Sequence, residues 1–166
     1  LNHSVTGQGN EGKHVIVDYD IEGADLGYRW FARQKIDPLF AFGFGLSYTQ
    51  FGYSGVKLTA DGKGLSATVN VTNMGKVAGD EVVQVYTQSG PGGIGKRLIG
   101  FQRISLAPGE SKRVTVAAEP KLLARWNEKK RVWVIPQGEF AIAVGGSSDG
   151  ELVIQRIKLA GLQITR

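Results

Sequence analysis

From Phe51 onward, apolar and polar residues alternate in short stretches broken by turn signals, the period of half-buried strands and not of helices. In Leu65-Ser-Ala-Thr-Val-Asn-Val-Thr72 the alternation puts Leu65, Ala67, Val69 and Val71 on one face, and Asn73-Met74-Gly75 then turns the chain. Asp80 to Tyr86 places Val83 and Val85 on one face with Val82, Gln84 and Tyr86 on the other. Further strands are predicted over Leu98 to Leu106, Ser111 to Ala117, Val132 to Ile135, Gly138 to Val144 and Leu152 to Leu159. Between two of them, Pro108 and Gly109 occupy successive positions of Ala107-Pro-Gly-Glu110, as a tight turn requires. Seven or eight strands in 116 residues predict an antiparallel β-sandwich. Helix is expected only over Pro120 to Trp126, one or two turns crossing between the sheets, with proline at an allowed first position.

Residues 1 to 50 lack such a period. Gly7 to Lys13 is polar and glycine-rich, Val15-Ile-Val17 is a short strand, and an acidic stretch leads into Gly27-Tyr-Arg-Trp-Phe31 and Pro38-Leu-Phe-Ala-Phe-Gly-Phe-Gly-Leu-Ser-Tyr48. Eight of the fifteen aromatic residues fall here, with too few regular elements to bury them. Tyr28, Trp30, Phe31, Leu39, Phe40, Phe42 and Phe44 are therefore expected to pack against something else. Trp126 and Trp133 sit among apolar neighbours and are expected in the sandwich core.

Composition sharpens the class. Glycine is 24 of 166 residues and Val, Ile and Thr together are 35, a mixture for strands and turns. The absence of cysteine excludes disulfide scaffolds, thiol catalysis and cysteine-bound metal clusters. No apolar run approaches the ~20 residues of a spanning helix. The net charge of +5 is uneven: residues 1 to 50 hold four Lys/Arg against six Asp/Glu, and residues 51 to 166 hold sixteen against nine. The basic clusters are short and lie beside turn residues, without the motifs of nucleic-acid readers, so no nucleic acid is expected.

Most candidate chemistry fails on context. Gly90-Pro-Gly-Gly-Ile-Gly-Lys96 matches seven positions of a phosphate-binding loop, but Arg97 replaces the hydroxyl residue and a strand follows where a helix is required, leaving a long hairpin loop. Gly7, Gly9 and Gly12 fit a dinucleotide fingerprint without its strand and helix. Asp18, Asp20, Glu22 and Gly23 start a calcium-loop template whose twelfth position is Arg29, a cation in place of a ligand. His3 and His14 lie eleven apart, so no zinc site is expected, and Ser4, His14 and Asp18 lack the nucleophile elbow of a triad. No metal and no cofactor are expected. Asn2-His-Ser4 and Asn70-Val-Thr72 are glycosylation sequons by pattern.

Two sets of motifs carry a resemblance. Glu22-Gly-Ala-Asp-Leu-Gly-Tyr-Arg-Trp-Phe31 followed by Pro38 to Thr49 resembles the end of the second catalytic domain of glycoside hydrolase family 3. Asn70 to Tyr86, Leu98-Ile-Gly-Phe101, Leu106-Ala-Pro-Gly-Glu-Ser111 and Val144-Gly-Gly-Ser-Ser148 resemble that family's C-terminal fibronectin type III-like domain. The resemblance implies that residues 1–50 are the tail of the α/β catalytic domain with the interdomain crossing, and that residues 51–166 are the fibronectin type III-like sandwich. It further implies part of a retaining β-glycosidase, most simply a β-glucosidase acting on terminal β-linked glucose, in a periplasmic or secreted setting. Such an enzyme needs two carboxylates about 5 to 5.5 Å apart. The family's aspartate nucleophile stands in a Ser-Asp-Trp setting upstream and its acid/base glutamate also lies upstream, so no catalytic residue is expected in this chain. Ser148-Asp149-Gly150 is only an echo, and Glu22 carries no catalytic role.

Within that resemblance, Tyr28, Trp30, Phe31, Phe40, Phe42 and Phe44 would clamp the sandwich to the catalytic domains, which are the expected partners together with substrate bound through them. Ala41 and Phe44 depart from the proline and histidine common in the family, making the crossing softer and more apolar. Gln88, Lys96 and Arg97, in the long basic hairpin loop, are candidates for the aglycone side of the active site. A homo-oligomer is left open. The competing reading is a free-standing carbohydrate-binding or adhesion module, which would display an exposed aromatic platform on the sandwich.

Overall fold

The computed structural model describes residues 23–62 and 64–164. His3, Ser4, His14, Asp18, Asp20, Glu22, the Gly7 to Gly12 fingerprint, the strand at Val15 to Val17 and the Asn2 sequon lie outside the described residues. Ten strands are described: β1 Phe51–Asp61, β2 Gly64–Asn73, β3 Gly79–Ser89, β4 Arg97–Leu106, β5 Ser111–Ala117, β6 Arg125–Asn127, β7 Val132–Ile135, β8 Gly138–Gly145, β9 Val153–Leu159 and β10 Leu162–Ile164. They pair antiparallel as β1-β2-β5, β4-β3-β8-β9 and a small β10-β7-β6 sheet. The two larger sheets enclose the core.

The predicted inward faces form that core. Leu65, Ala67, Val69 and Val71 of β2 meet Val83 and Val85 of β3, Val114 and Val116 of β5, and Phe140, Ile142 and Val144 of β8, all buried. Each such side chain contributes on the order of 1.5 to 3 kcal/mol. The outer face of β2 is polar, with Thr68 against Thr115 (2.9 Å) and Thr72 against Ser111 (2.6 Å) across the ladder to β5. The turn after β4 forms as expected: Glu110 N–H returns to Ala107 C=O (3.0 Å), and Gly109 takes the left-handed conformation at φ 72°.

Three features differ from the expectations or go beyond them. The α-helix lies at α1, Tyr28–Gln34, in the segment without visible period, whereas Pro120–Leu123 forms only a 3-10 turn and Trp126 lies in strand β6. Glu119 accepts from Lys121 N–H at the entry to that turn, but Arg125 to Asn127 then pair with β7, which ends any helix. Second, β3 is covered on both faces: Gln84 and Tyr86, on the face opposite Val83 and Val85, are 5% and 0% exposed. Third, Trp126 is 40% exposed because β6 is the three-residue edge of the small sheet; its ring leans on the half-buried Trp133 at 5.5 Å.

Candidate functional site

What covers the outer face of β3 is the segment from α1 to Gln50, and its attachment begins at a buried amide. Asn73, fully buried at the end of β2, accepts from the Thr49 hydroxyl and from Gly75 N–H (3.0 Å) and donates to the carbonyls of Val77 (2.8 Å) and Leu106 (3.1 Å). Met74 N–H donates to Gln50 C=O (2.8 Å), so the segment enters β1 already tied to the turn after β2. Farther along, Ser148 N–H donates to Phe42 C=O (2.7 Å). Gly43, at φ 85°, lies so close to β3 that a Cβ there would stand 2.5 Å from Gln84 Nε2; only glycine fits both the angle and the gap.

Beneath the segment runs a chain of hydrogen-bonded polar groups. The Tyr86 hydroxyl donates to Gln84 Oε1, and Gln84 Nε2 donates to Gly146 C=O. Tyr53 donates to Glu81 Oε1 (2.8 Å). Burial raises the Glu81 carboxyl above the usual carboxylate range, against the bonds from Tyr53 and Val82 N–H that favour its charge. The Tyr53 and Tyr86 phenols are pushed up chiefly by burial, with Glu81 adding to the first and Tyr28 to the second.

The predicted aromatic residues fall into three pairs. Tyr28 and Phe42 pack on the sandwich: their rings lie 5.1 Å apart, Tyr28 meets Tyr86 edge-on at 5.9 Å, and the Tyr28 oxygen accepts from Leu98 N–H (2.8 Å). Trp30 and Phe31 are half-buried and edge-on at 5.4 Å, with the Trp30 indole N–H buried and unpaired. Phe40 and Phe44, tilted together at 5.3 Å, stay 66% and 55% exposed, and Leu39, Leu46 and Tyr48 are at least 90% exposed. Phe42, Phe44, Leu46, Val82, Leu98 and Phe101 line a groove of about 610 Å³ that ends at Glu81 and Gln84.

On the other side of α1, the three loop candidates come together. Gln88, Lys96 and Arg97 line one wall of a cleft of about 650 Å³ whose opposite wall is α1 and the residues after it. Asp25 binds Arg29 (2.6 Å) and Arg33 (3.2 Å), which orients a helix too short to stand alone and without a side-chain N-cap. Lys96 Nζ reaches Asp149 (2.5 Å) and Ser148 C=O (3.0 Å). Arg97 Nη1 donates to Leu122 C=O (3.2 Å); burial, then the charge of Arg29, lowers its guanidinium below the ordinary value. Among the described residues no cluster of three His, Cys, Asp or Glu side chains is placed to hold a metal, and no helix is long and apolar enough to cross a membrane. Sequence reasoning missed α1, Asn73, Glu81 and Arg125. Only Asp25, four and eight residues before Arg29 and Arg33, offered a signal.

A two-sheet antiparallel sandwich with the aromatic segment from α1 to Gln50 bound along one face defines the class, and residues 81–148 match the family model described as a fibronectin type III-like domain. Relatives narrow it further. The chain is 37% identical over 155 residues to thermostable beta-glucosidase B of Acetivibrio thermocellus, covering 89% of this chain and 20% of the relative. It is 38% identical over 140 residues to probable beta-glucosidase I of Neosartorya fischeri, covering 77% and 17%. Among solved structures, the glycoside hydrolase family 3 beta-glucosidase of Bifidobacterium adolescentis superposes with a TM-score of 0.79 at 33% identity, over 90% of this chain and 23% of that one. Beta-glucosidase 3B of Thermotoga neapolitana, in complex with glucose, gives 0.78 at 32% identity over 88% and 21%. The chain belongs to glycoside hydrolase family 3 and includes a fibronectin type III-like domain, spanning about a fifth of the curated relatives it matches.

Proposed function

We propose that this chain is the domain-clamping portion of a retaining β-glucosidase that removes terminal β-linked glucose from oligosaccharides or glucosides. Its residues through Gln50 form the crossing from the α/β catalytic domain, and its sandwich begins at Phe51. The observation that carries this reading is the crest of Phe40, Phe44, Leu46 and Tyr48, which stands exposed although the backbone beneath it is fastened to the sandwich at Thr49, Phe42 and Tyr28. A rigidly held apolar crest is what a second domain covers. The relatives are β-glucosidases, and their activity supplies the reaction in this reading.

In this reading the chain shapes and steadies the enzyme, and the paired carboxylates of the retaining mechanism belong to the remainder. The Gln88 to Arg97 loop lies beside the crossing and shares its face. Exposed Trp126 and Phe101 on the sandwich favour a carbohydrate-binding module, yet the Trp126 ring is inclined 61° to Trp133, and those two make no flat stacking platform. The test has two arms. Purified alone, the chain should hydrolyse no aryl β-glucoside above the uncatalysed rate, and added to the catalytic part expressed without it, it should raise that part's melting temperature. Turnover by the chain alone, or indifference of the catalytic part, would refute the proposal.

A further inference from the structure

The cleft between α1 and the β3–β4 loop is unbalanced in charge. Asp25 is already divided between Arg29 and Arg33, and Asp149 is held by Lys96. Among the described residues, Asp37 is the one other carboxylate of the lining, against Arg97, Arg125 and Lys35. Arg97 is half-buried and, among the described residues, hydrogen-bonds only the Leu122 carbonyl; it faces the guanidinium of Arg29, which the more favourable charges of Tyr28 and Asp25 offset only in part. A guanidinium withdrawn from water is ordinarily met by a carboxylate, which fits its fork of donors and offsets the lost hydration. Arg125, across Gly92 of the loop, makes no ion pair or side-chain hydrogen bond among the described residues. In the same wall the Gln88 amide nitrogen is buried without an acceptor among the described residues. The shared deficit is a negatively charged acceptor.

We propose that this cleft receives a carboxylate side chain of the enzyme's catalytic part, gripped by Arg97 and Arg125, with the Gln88 amide turning toward it. The inference rests on the clamp reading and adds polar register to an otherwise apolar contact. Two observations favour a protein carboxylate as occupant. Phe31 and Pro38 line the cleft, and Pro38 leads directly into the exposed Leu39 and Phe40, so the cleft continues the face that the catalytic part would cover. The charges are also complementary: residues 51 to 166 carry sixteen Lys/Arg against nine Asp/Glu, while residues 1 to 50, which belong to the catalytic side in this reading, carry the opposite excess.

The experiment measures association of the 166-residue chain with the separately expressed catalytic part at about 50 and about 300 mM sodium chloride. The Arg97→Gln/Arg125→Gln variant should bind roughly tenfold or more weakly at low salt and lose most of the salt dependence, while Arg97→Lys keeps part of both. Arg125→Gln alone, altering an exposed side chain without a partner, should weaken binding while leaving the fold intact by near-ultraviolet circular dichroism. Sodium glucuronate at matched ionic strength should compete no better than chloride. Unchanged affinity and salt dependence in the double variant overturn the inference and leave the clamp standing. Specific competition by glucuronate reassigns the cleft to a sugar acid and also overturns it. Absence of any association overturns the clamp and the inference together.

Discussion

Asn73 uses both amide groups twice, and its four bonds hold three pieces of chain: the end of the segment before β1, the turn after β2 and the end of β4. Asn73→Ala removes four partners at a site without water access and should lower unfolding free energy by about 2 to 4 kcal/mol, read by urea denaturation. A loss below about 0.5 kcal/mol would mean the seam is held elsewhere. Glu81 makes a prediction of opposite sign. Its carboxyl titrates higher folded than unfolded, so the folded state binds more protons in the window between the two values. Its contribution is therefore fully present below the unfolded carboxylate range and is lost as pH rises through that window. Asp80, lowered by its bonds to Ser105 and Arg103, and Glu110, lowered by Ala107 N–H and Lys112, act oppositely and lose their contribution as pH falls. Comparison with Glu81→Gln isolates the first effect: the variant should melt higher than the parent at pH 7 and converge with it near pH 4. A gap that persists or widens in acid would contradict this account.

At the scale of elements, α1 is the least self-sufficient piece. It has seven residues, a glycine N-cap without side-chain support, and none of its residues is fully buried. Its Tyr28 oxygen takes the Leu98 N–H where a β-bulge shifts the β3–β4 register between Val85 and Tyr86. Tyr28→Phe should thus speed hydrogen exchange at Leu98 and across α1 by about fivefold or more, a net hydrogen bond being worth about 1 kcal/mol, while the β2 amides stay unchanged. Equal exchange in both proteins would show that α1 is held by its rings alone. The strands were legible because β2, β5 and β8 each put one apolar face into one core, and period two survives that arrangement. The helix was not, because the contacts that make it, Tyr28 on Phe42 and Tyr86 and Asp25 on Arg29 and Arg33, follow from tertiary placement and leave no amphipathic stripe in seven residues. For the same reason the burial of Gln84 and Tyr86 left no mark in the local pattern: the cover over them comes from residues more than forty positions earlier. Gln88, Lys96 and Arg97 could be picked from loop length and charge, whereas Arg125, brought beside them from the chain after the 3-10 turn, could not.

For the whole molecule, the apolar crest and the cationic cleft lie on the segment that also roofs β3, so crossing and sandwich do not separate cleanly at residues 50 and 51. Cutting there would strip the partner from Asn73 and the cover from Tyr86, disturbing the sandwich itself. Polar replacement of exposed side chains leaves those anchors in place and asks about the crest alone. Sedimentation velocity of the 166-residue chain and of its Phe40→Ser/Phe44→Ser/Leu46→Ser variant, each with and without the catalytic part, is therefore the most direct measurement. The parent chain should self-associate by itself and form a complex with the catalytic part, and the variant should remain monomeric and bind it weakly. A parent chain that is monomeric and ignores the catalytic part, or a variant indistinguishable from the parent, would contradict the clamp.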